Sequence, residues 1–269
     1  MNSQNDQYTH GHHESVLRSH RWRTAENSAG FLLSHLEPGL QLLDVGCGPG
    51  TISADLARLV APGPVAAIDI SSGVIEAARS IHQDQGLDNL SFEVGNVHGL
   101  SFEDSSFDVV YAHQVLQHLG DPVMALREMR RVLRETGLLA VRDADFAAFA
   151  WSPADERLTR WMEIYHQVTR ANGAEADAGR QLPRWVREAG FRSIEVSSSN
   201  WTYFTVEERG WWGQLWADRV IYSDFAKQGL SYGFTTSDEL QAISDAFIDW
   251  SNDEDGVFIV VNVEVLARR

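Results

Sequence analysis

The chain has almost no lysine and almost no cysteine. Only Lys227 among its 22 basic residues is a lysine, there are 38 acidic residues, and the formal net charge is -16. Because nucleic-acid backbones and anionic lipid heads are bound by clusters of basic side chains, we expect neither a nucleic acid nor a membrane as partner. Cys47 is the only cysteine, which excludes internal disulfides and cysteine zinc clusters and is consistent with a reducing compartment.

Long apolar runs are also missing. No segment approaches the ~20 apolar residues of a membrane span, and the N-terminus is polar, without the apolar core of a signal peptide. We therefore expect a cytoplasmic protein. The 269 residues are 43% apolar, which is enough to build either one large α/β domain with insertions or two small domains.

Residues 39 to 145 alternate short apolar runs with segments of helical periodicity, the order that predicts a parallel β-sheet. The predicted strands are 41–45, 65–70, 90–94, 107–112, 138–142, 193–199 and a last, antiparallel strand at 257–266. The predicted helices are 52–59, 73–85, 122–134 and 182–189. We thus expect an α/β fold with a seven-stranded, mostly parallel sheet.

Two segments, 146–178 and 200–256, interrupt this alternation and are predicted to be mostly helical. Eight of the nine tryptophans lie after residue 150. Such helices need large side chains for a small core of their own, and they can equally form a cap over a substrate. Both interpretations fit the pattern.

The motif LLDVGCGPGT, residues 42–51, places Gly46, Gly48 and Gly50 between a predicted strand and a predicted helix. Glycine permits a tight turn there and lets a ligand approach the main chain. A dinucleotide fingerprint, G-x-G-x-x-G, would need glycine where Thr51 stands, so the spacing disfavours NAD. Asp69 ends the next predicted strand, where a carboxylate can accept both hydrogen bonds from a ribose diol.

These motifs resemble the class I S-adenosylmethionine-dependent methyltransferases, in particular the small-molecule group similar to quinone C-methyltransferases. The resemblance covers residues 41–145 and implies a Rossmann-like fold that uses S-adenosylmethionine and releases S-adenosylhomocysteine. It further implies a single domain over residues 1–269, with a cofactor-binding half at 37–145 and helical caps at 146–178 and 200–256. Residues 179–199 and 257–269 would supply the remaining helix and strands.

The resemblance also implies roles for individual residues. The three glycines would form the turn beneath the methionine part of the cofactor, Asp69 would hold the ribose hydroxyls, and Ile70 would pack on the adenine. VGNVHGLSF, residues 94–102, resembles the family segment G-D-A-x-x-L-P-F, whose acidic side chain meets the adenine amine. Asn96 stands at that position, and its amide oxygen can accept the same hydrogen bond. The backbone N–H of Val97 would meet a ring nitrogen.

The stretch YTHGHHESVLRSHRWR, residues 8–23, is rich in histidine, and a loop can gather such side chains around zinc. DQYTHG (6–11) and RTAEN (23–27), however, resemble the N-terminal arm of glycine N-methyltransferase-like enzymes. The resemblance implies that residues 1–36 form a lid without a metal ion. Tyr8 and Arg23 would reach the cofactor, with the arginine pairing with the methionyl carboxylate. Four histidines become candidates for the inner surface of the lid: His10, His12, His13 and His20.

Methyl transfer from a sulfonium needs an in-line nucleophile, and a base only where the acceptor must lose a proton. His113 follows the fourth predicted strand at the carboxyl edge of the sheet, so it is the first candidate to face the methyl group. It would be a base or a positioning group, or would merely contact the cofactor. Asp143 and Asp145 could orient an acceptor or cap a helix. The predicted acceptor-site residues are Gln114, His118, Asp143, Asp145, Tyr165, Trp212 and Trp216.

If the caps line the site, the acceptor is an uncharged, largely aromatic or polycyclic small molecule. Three alternatives stay open. They are an NAD-dependent oxidoreductase on a similar sheet, a cofactor-binding module without turnover, and a metal enzyme that uses the arm histidines and Glu14.

Overall fold

The computed structural model describes Thr9, Ser19, His20 and residues 22–269. The strands are β1 (Leu42–Val45), β2 (Val65–Asp69), β3 (Leu90–Val94), β4 (Phe107–His113), β5 (Leu133–Ala144), β6 (Ala150–Ser152), β7 (Ser193–Tyr203) and β8 (Val257–Arg268). The α-helices are α1 (Ala25–Leu33), α2 (Thr51–Val60), α3 (Ser72–His82), α4 (Pro122–Val132), α5 (Glu156–Ala171), α6 (Ala178–Glu188), α7 (Val206–Tyr222), α8 (Asp224–Ser231) and α9 (Ser237–Asn252).

The sheet is mixed, and its order is β3-β2-β1-β4-β5-β8. The first five strands are parallel, whereas β8 runs antiparallel to β5 on one edge and to β7 on the other. This confirms the predicted α/β, Rossmann-like fold with an antiparallel last strand. The number of strands differs from the predicted seven, because the three-residue β6 pairs with the start of β8 and makes an eighth strand. A run of three residues is too short to give a sequence pattern.

Several predicted boundaries are wrong by a few residues. Strand β5 begins at Leu133 rather than 138, and a register shift between Phe107 and Val109 accommodates the extra residues. Strand β7 continues to Tyr203, because it pairs with β8 along its whole length. The second cap segment therefore begins after residue 203 rather than at 200.

Helices cover both faces of the sheet, which explains why its central strands are continuous apolar runs. Helices α4 and α6 pack on one face around Leu126, Met129 and Leu182. Helices α1 and α2 pack on the other face around Leu32 and Leu56. Strand β1, LLDV, is buried at every position. Among the described residues, no helix is long and apolar enough to cross a membrane.

The cap helices α5, α7 and α9 form a third core that is rich in aromatic rings. Trp161 lies edge-on to Trp216 at 4.5 Å and to Phe247 at 5.1 Å between ring centres. Several tryptophans thus build the small core of the cap, which was one of the two interpretations of the sequence. Trp212 and Trp216 belong to this core and also line the cavity beneath it.

Candidate functional site

One large cavity lies between the carboxyl ends of the parallel strands and the cap. Its empty volume, open mouth included, is about 1780 Å³. The predicted site residues that line it are Arg23, Gly46, Gly48, Asp69, Ile70, Asn96, Val97, His113, Gln114, His118, Trp212 and Trp216.

The three glycines of the turn have left-handed φ angles of 72°, 55° and 78°, but they differ in what surrounds them. A Cβ on Gly46 would overlap Val115, and one on Gly50 would lie 2.5 Å from Phe92 Cε1. A Cβ on Gly48 would overlap nothing, since its nearest neighbour would be His20 Nδ1 at 3.8 Å, an ordinary contact. Gly48 therefore allows a ligand to approach the main chain, whereas the other two permit tight packing.

Asp69 stands at the end of β2, directly beside this turn. One carboxylate oxygen accepts the Gly48 N–H at 3.2 Å, and the other accepts the Ser71 N–H at 2.9 Å. The carboxylate is thereby fixed at the edge of the cavity. Ile70 follows it with 64% of its side chain exposed, a large apolar group at the cavity mouth.

Asn96 and Val97 form the next part of the wall, after β3. The Asn96 amide oxygen accepts the N–H of His98 at 2.9 Å, and an amide oxygen has a second lone pair for a ligand donor. The Gly95 N–H donates to the Asp69 carbonyl at 3.0 Å, which ties this loop to β2.

The segment before α1 closes one side of the cavity. Arg23 donates a hydrogen bond to Gln114 Oε1, and its guanidinium lies 5.6 Å from the centre of the Trp201 ring. Trp22 meets Trp201 edge-on at 5.4 Å between ring centres. Trp201 Nε1 donates to the carbonyl of Asn27 in α1 at 2.8 Å, so the helix that follows this segment is anchored to β7. Tyr8, His10, His12, His13 and Glu14 lie outside the described residues.

The cap side of the cavity is aromatic. The rings of Tyr203 and Trp212 stack at 4.3 Å, and Trp211 lies beside them. Tyr203 Oη and Trp212 Nε1 are buried and have no hydrogen-bond partner among the described residues. Arg219 donates to Ser19 Oγ at 2.9 Å and lies over the Trp216 ring. The sequence prediction missed four of these lining residues: Trp22, Trp201, Tyr203 and Trp211.

His113 ends β4 and is buried in the wall of the cavity. Arg142 Nη1 lies 3.5 Å from its Nδ1. Burial, and then the nearby charges of Arg23, Arg142 and His20, hold the pKa of His113 well below its usual range. Its Nε2 has no hydrogen-bond partner within the described part of the chain. The ring is therefore neutral near pH 7.

His118 lies on the short 3₁₀ helix after β4 and also lines the cavity. Gln117 Oε1 accepts the Ala144 N–H at 3.2 Å, which leaves its amide nitrogen to donate to His118 Nε2 at 3.0 Å. Burial, followed by the charge of Arg23, lowers the pKa of His118 to about 3. His118 Nε2 is thus already occupied as an acceptor.

Four of the predicted site residues do not line the cavity: Gly50, Asp143, Asp145 and Tyr165. Asp143 is fully buried and accepts the Gln117 N–H at 3.1 Å. Burial raises the pKa of Asp143 to about 8. Asp145 pairs with Arg180 and accepts its N–H at 3.0 Å in the first turn of α6, so it caps that helix. Tyr165 stacks behind the cavity on Phe146, at 3.9 Å between ring centres.

Asp44 is a buried carboxyl that lines the cavity and that the sequence prediction did not single out. It accepts a hydrogen bond from Ser53 Oγ at 2.6 Å. Burial raises the pKa of Asp44 to about 7, against the opposing effect of the Ser53 hydrogen bond. Within the described ranges, no three His, Cys, Asp or Glu side chains form a metal-binding group. The zinc alternative falls on undescribed residues and stays open.

A family model described as a methyltransferase domain matches residues 36–203. An uncharacterized methyltransferase of Schizosaccharomyces pombe is 29% identical over 97% of this chain and 96% of its own length. Among solved structures, the YcgJ protein of Bacillus subtilis has a TM-score of 0.59 at 18% identity and covers 96% of this chain and 99% of its own. A Haemonchus contortus phosphoethanolamine N-methyltransferase, solved with S-adenosylhomocysteine, has a TM-score of 0.55 at 14% identity, over 87% of this chain and 49% of its own.

Proposed function

Because the chain belongs to the methyltransferase-domain family, we propose that it transfers the methyl group of S-adenosylmethionine to a flat, aromatic small molecule. The observation that carries this proposal is a cavity with two chemically different halves. One half is built from the glycine turn, Asp69 and Asn96, and the other from the aromatic side chains of β7 and α7.

The first half fits the cofactor. Gly48 lines the cavity, and the Asp69 carboxylate is fixed beside it by two backbone N–H groups. In our proposal Asp69 holds the ribose hydroxyls, and the exposed side chain of Ile70 covers one face of the adenine. Asn96 and the Val97 N–H meet the adenine edge.

Arg23 holds the methionyl carboxylate in this proposal. Its guanidinium already lies at the cavity wall, where it donates to Gln114. A guanidinium can bind a carboxylate with two parallel hydrogen bonds. The likeness of residues 1–36 to the arm of glycine N-methyltransferase-like enzymes supports the same role for Arg23. The matching role of Tyr8 stays a prediction.

When bound, the cofactor supplies a methyl group on a positively charged sulfur. The protein then has to orient the acceptor in line with that bond and exclude water. The segment around Trp22 and Arg23 covers the cavity from one side, and the cap covers it from another. Buried aromatic walls of this kind give a flat ring a large contact area.

The acceptor half suits an aromatic molecule because its walls are rings. Tyr203, Trp211 and Trp212 pack against one another and line the cavity together with Phe146 and Phe149. The buried Tyr203 Oη and Trp212 Nε1 provide polar contacts for a substituent on the acceptor ring. A flat ring that carries a polar substituent therefore fits this half best.

His113 stands between the two halves as the positioning group of the reaction. Its low pKa and its contact with Arg142 favour this role over that of a base. A base must be able to take up a proton near neutral pH. His118 is also disfavoured as a base, because its pKa is low and its Nε2 already accepts a hydrogen bond from Gln117.

Equilibrium dialysis with tritiated S-adenosylmethionine, beside a fluorescence titration with NADH, tests the cofactor. We expect saturable binding of the first ligand only. Binding of NADH alone would support the oxidoreductase alternative and contradict the proposal. Incubation with a panel of phenols and hydroxynaphthalenes then tests turnover, because a binding module would retain the cofactor and methylate none of them.

A further inference from the structure

His113 and Arg142 are partners in the sheet, at the last paired position of β4 and β5. Both side chains are buried, with exposed fractions of 6% and 1%. His113 lines the cavity, whereas Arg142 lies behind it among β5, β7 and β8. The Nδ1 edge of the imidazole therefore faces Arg142 in the interior of the protein, and Nε2 is buried without a hydrogen-bond partner among the described residues.

The chemistry of arginine determines where the imidazole carries its proton. A guanidinium has five N–H donors and no acceptor, and it stays charged in proteins. At 3.5 Å, Arg142 Nη1 can only donate to His113 Nδ1, or repel a proton placed there. A neutral imidazole has one N–H group, so the proton resides on Nε2.

Arg142 is held in this position by three further contacts. Its Nε donates to Glu264 Oε1 at 3.2 Å, and its Nη2 donates to Ser199 Oγ at 3.0 Å. Its guanidinium also lies 4.6 Å from the centre of the Trp201 ring. Ser197 Oγ donates to the other Glu264 oxygen at 2.7 Å, which completes the network. The network orients His113 as a fixed donor.

The charges around His113 favour a negative group on the acceptor. The cations Arg23 and Arg142, and His20 where it is protonated, act on the imidazole from the arm and from β5. Glu264 in β8 balances part of the charge of Arg142, with which it is paired. Arg219 adds a cation on the cap side of the cavity. The carboxylates that line the cavity, Asp44 and Asp69, lie in β1 and β2, in the half proposed for the cofactor.

We propose that His113 donates its Nε2–H to an anionic oxygen of the acceptor. The acceptors are then aromatic molecules whose hydroxyl group ionises in water, so that they bind as phenolates or enolates. The inference rests on the proposed function, whose acceptor it specifies. It replaces the uncharged acceptor expected from the sequence. Tyr203 and Trp212 also line the cavity, and Tyr203 Oη and Trp212 Nε1 are buried donors without a hydrogen-bond partner among the described residues.

With an acceptor that is already ionised, no residue of the protein has to act as a base. A lone pair of the acceptor oxygen forms the bond to the methyl carbon while the carbon–sulfur bond breaks, and that electron pair stays on sulfur. The positive charge of the sulfonium and the negative charge of the oxygen cancel. The acceptor proton has already passed to solvent, so His113 keeps its own proton throughout.

Nitrogen-15 NMR of histidine-labelled protein tests the tautomer without any ligand. The His113 signal is assigned as the one that is absent from the spectrum of His113→Gln. We expect this imidazole to be neutral, with its proton on Nε2, throughout pH 6 to 8. A proton on Nδ1, or an imidazolium that titrates in this range, would overturn the inference. The double variant Arg142→Met with Glu264→Gln removes the donor and its countercharge together, and we expect His113 to populate both tautomers there.

Calorimetry on the protein saturated with S-adenosylhomocysteine tests the acceptor. The probes are 4-nitro-1-naphthol, which is ionised at pH 8, and the neutral 1-nitronaphthalene. We expect the naphtholate to bind at least roughly tenfold more tightly, the size of one hydrogen bond to a charged group. His113→Phe should lose this preference, and His113→Gln, which keeps an N–H donor near the Nε2 position, should retain most of it.

Equal binding of the two probes, binding of neither, or an unchanged preference in His113→Phe would contradict the inference. A failure of the proposed function can be distinguished from these results, because the protein would then not bind S-adenosylhomocysteine before any acceptor probe is added. The NMR result does not depend on either ligand.

Discussion

Arg142 Nη1 lies 3.5 Å from Nδ1 of His113, and both side chains are almost completely buried. This contact connects the sheet to the reaction, because a fixed guanidinium behind the imidazole decides which nitrogen carries the proton. The Arg142 guanidinium is in turn paired with the buried Glu264 carboxylate at 3.2 Å.

The Arg23 guanidinium is expected to hold the cofactor carboxylate. Arg23→Ala should weaken the binding of S-adenosylhomocysteine by roughly 2–5 kcal/mol, the cost of truncating one partner of a desolvated charge pair. Arg127→Ala is the control, since Arg127 is exposed on α4 and far from the cavity lining. Calorimetric titration gives both affinities. An unchanged affinity in Arg23→Ala would show that this arginine does not reach the cofactor.

Alanine substitutions at the glycines of the turn should distinguish a role in folding from a role in cofactor binding. Gly50→Ala would force a methyl group to within 2.5 Å of Phe92 in a left-handed conformation, so it should destabilise the fold by at least about 1–2 kcal/mol. Gly48→Ala has comparable backbone strain but no overlap, and its methyl group would enter the cavity instead.

We therefore expect Gly48→Ala to lose the binding of S-adenosylhomocysteine while remaining folded at 25 °C, as measured by calorimetry and circular dichroism. Gly210→Ala, on the exposed surface of α7, is the control and should change neither property. Normal cofactor affinity in a folded Gly48→Ala protein would place the ligand elsewhere.

Burial raises the pKa of Asp143 from 3.8 to about 8. The folded state therefore binds this proton more tightly than the unfolded state, and the associated stability is complete below about pH 4 and lost as the pH rises through 8. Asp143→Asn cannot ionise. Its free energy of unfolding should exceed that of the wild type by an amount that grows from pH 6 to pH 8, by at most about 1.4 kcal/mol per unit.

Urea unfolding at the two pH values measures this difference. Asp84→Asn is the matched control for the loss of one carboxyl, because Asp84 is exposed. A difference for Asp143→Asn that is constant between pH 6 and pH 8 would mean that this carboxyl is ionised in the folded protein.

Trp22 packs on Trp201 at 5.4 Å and on Trp211 at 5.5 Å between ring centres, although 39% of its side chain is exposed. Trp22→Ala should weaken the binding of 4-nitro-1-naphthol by about 0.5–1.5 kcal/mol, the strength of one aromatic ring pair. Trp22→Phe keeps an aromatic ring and should retain most of the affinity. Equal affinity in all three proteins would show that the segment before α1 does not cover the acceptor.

The sequence predicted the sheet well because the sheet depends on local patterns, and the predicted glycine turn and Asp69 lie together at the cavity for the same reason. The apolar runs, the glycine turn and Asp69 are each visible within a few residues of one another. Strand β6 could not be predicted, since its three residues form a strand only through pairing with β8. The extension of β7 to Tyr203 has the same cause.

The acceptor half was harder to predict, because its residues come from distant segments. Trp22, Trp201 and Arg219 line one cavity although they come from the segment before α1, from β7 and from α7. One local signal was present: Trp201 and Tyr203 alternate along β7, a spacing that places both side chains on one face of a strand. The sequence left His113 as either a base or a positioning group, and the contact that favours the second role depends on Arg142, 29 positions further on.

Titration of S-adenosylhomocysteine into the wild type and Asp69→Asn tests the central claim most directly. Asparagine keeps one oxygen for the Gly48 or Ser71 N–H and cannot accept both ribose hydrogen bonds. We expect one saturable site per chain in the wild type and an affinity at least roughly tenfold lower in Asp69→Asn. No binding to the wild type, or equal binding to a folded Asp69→Asn protein, would contradict the account.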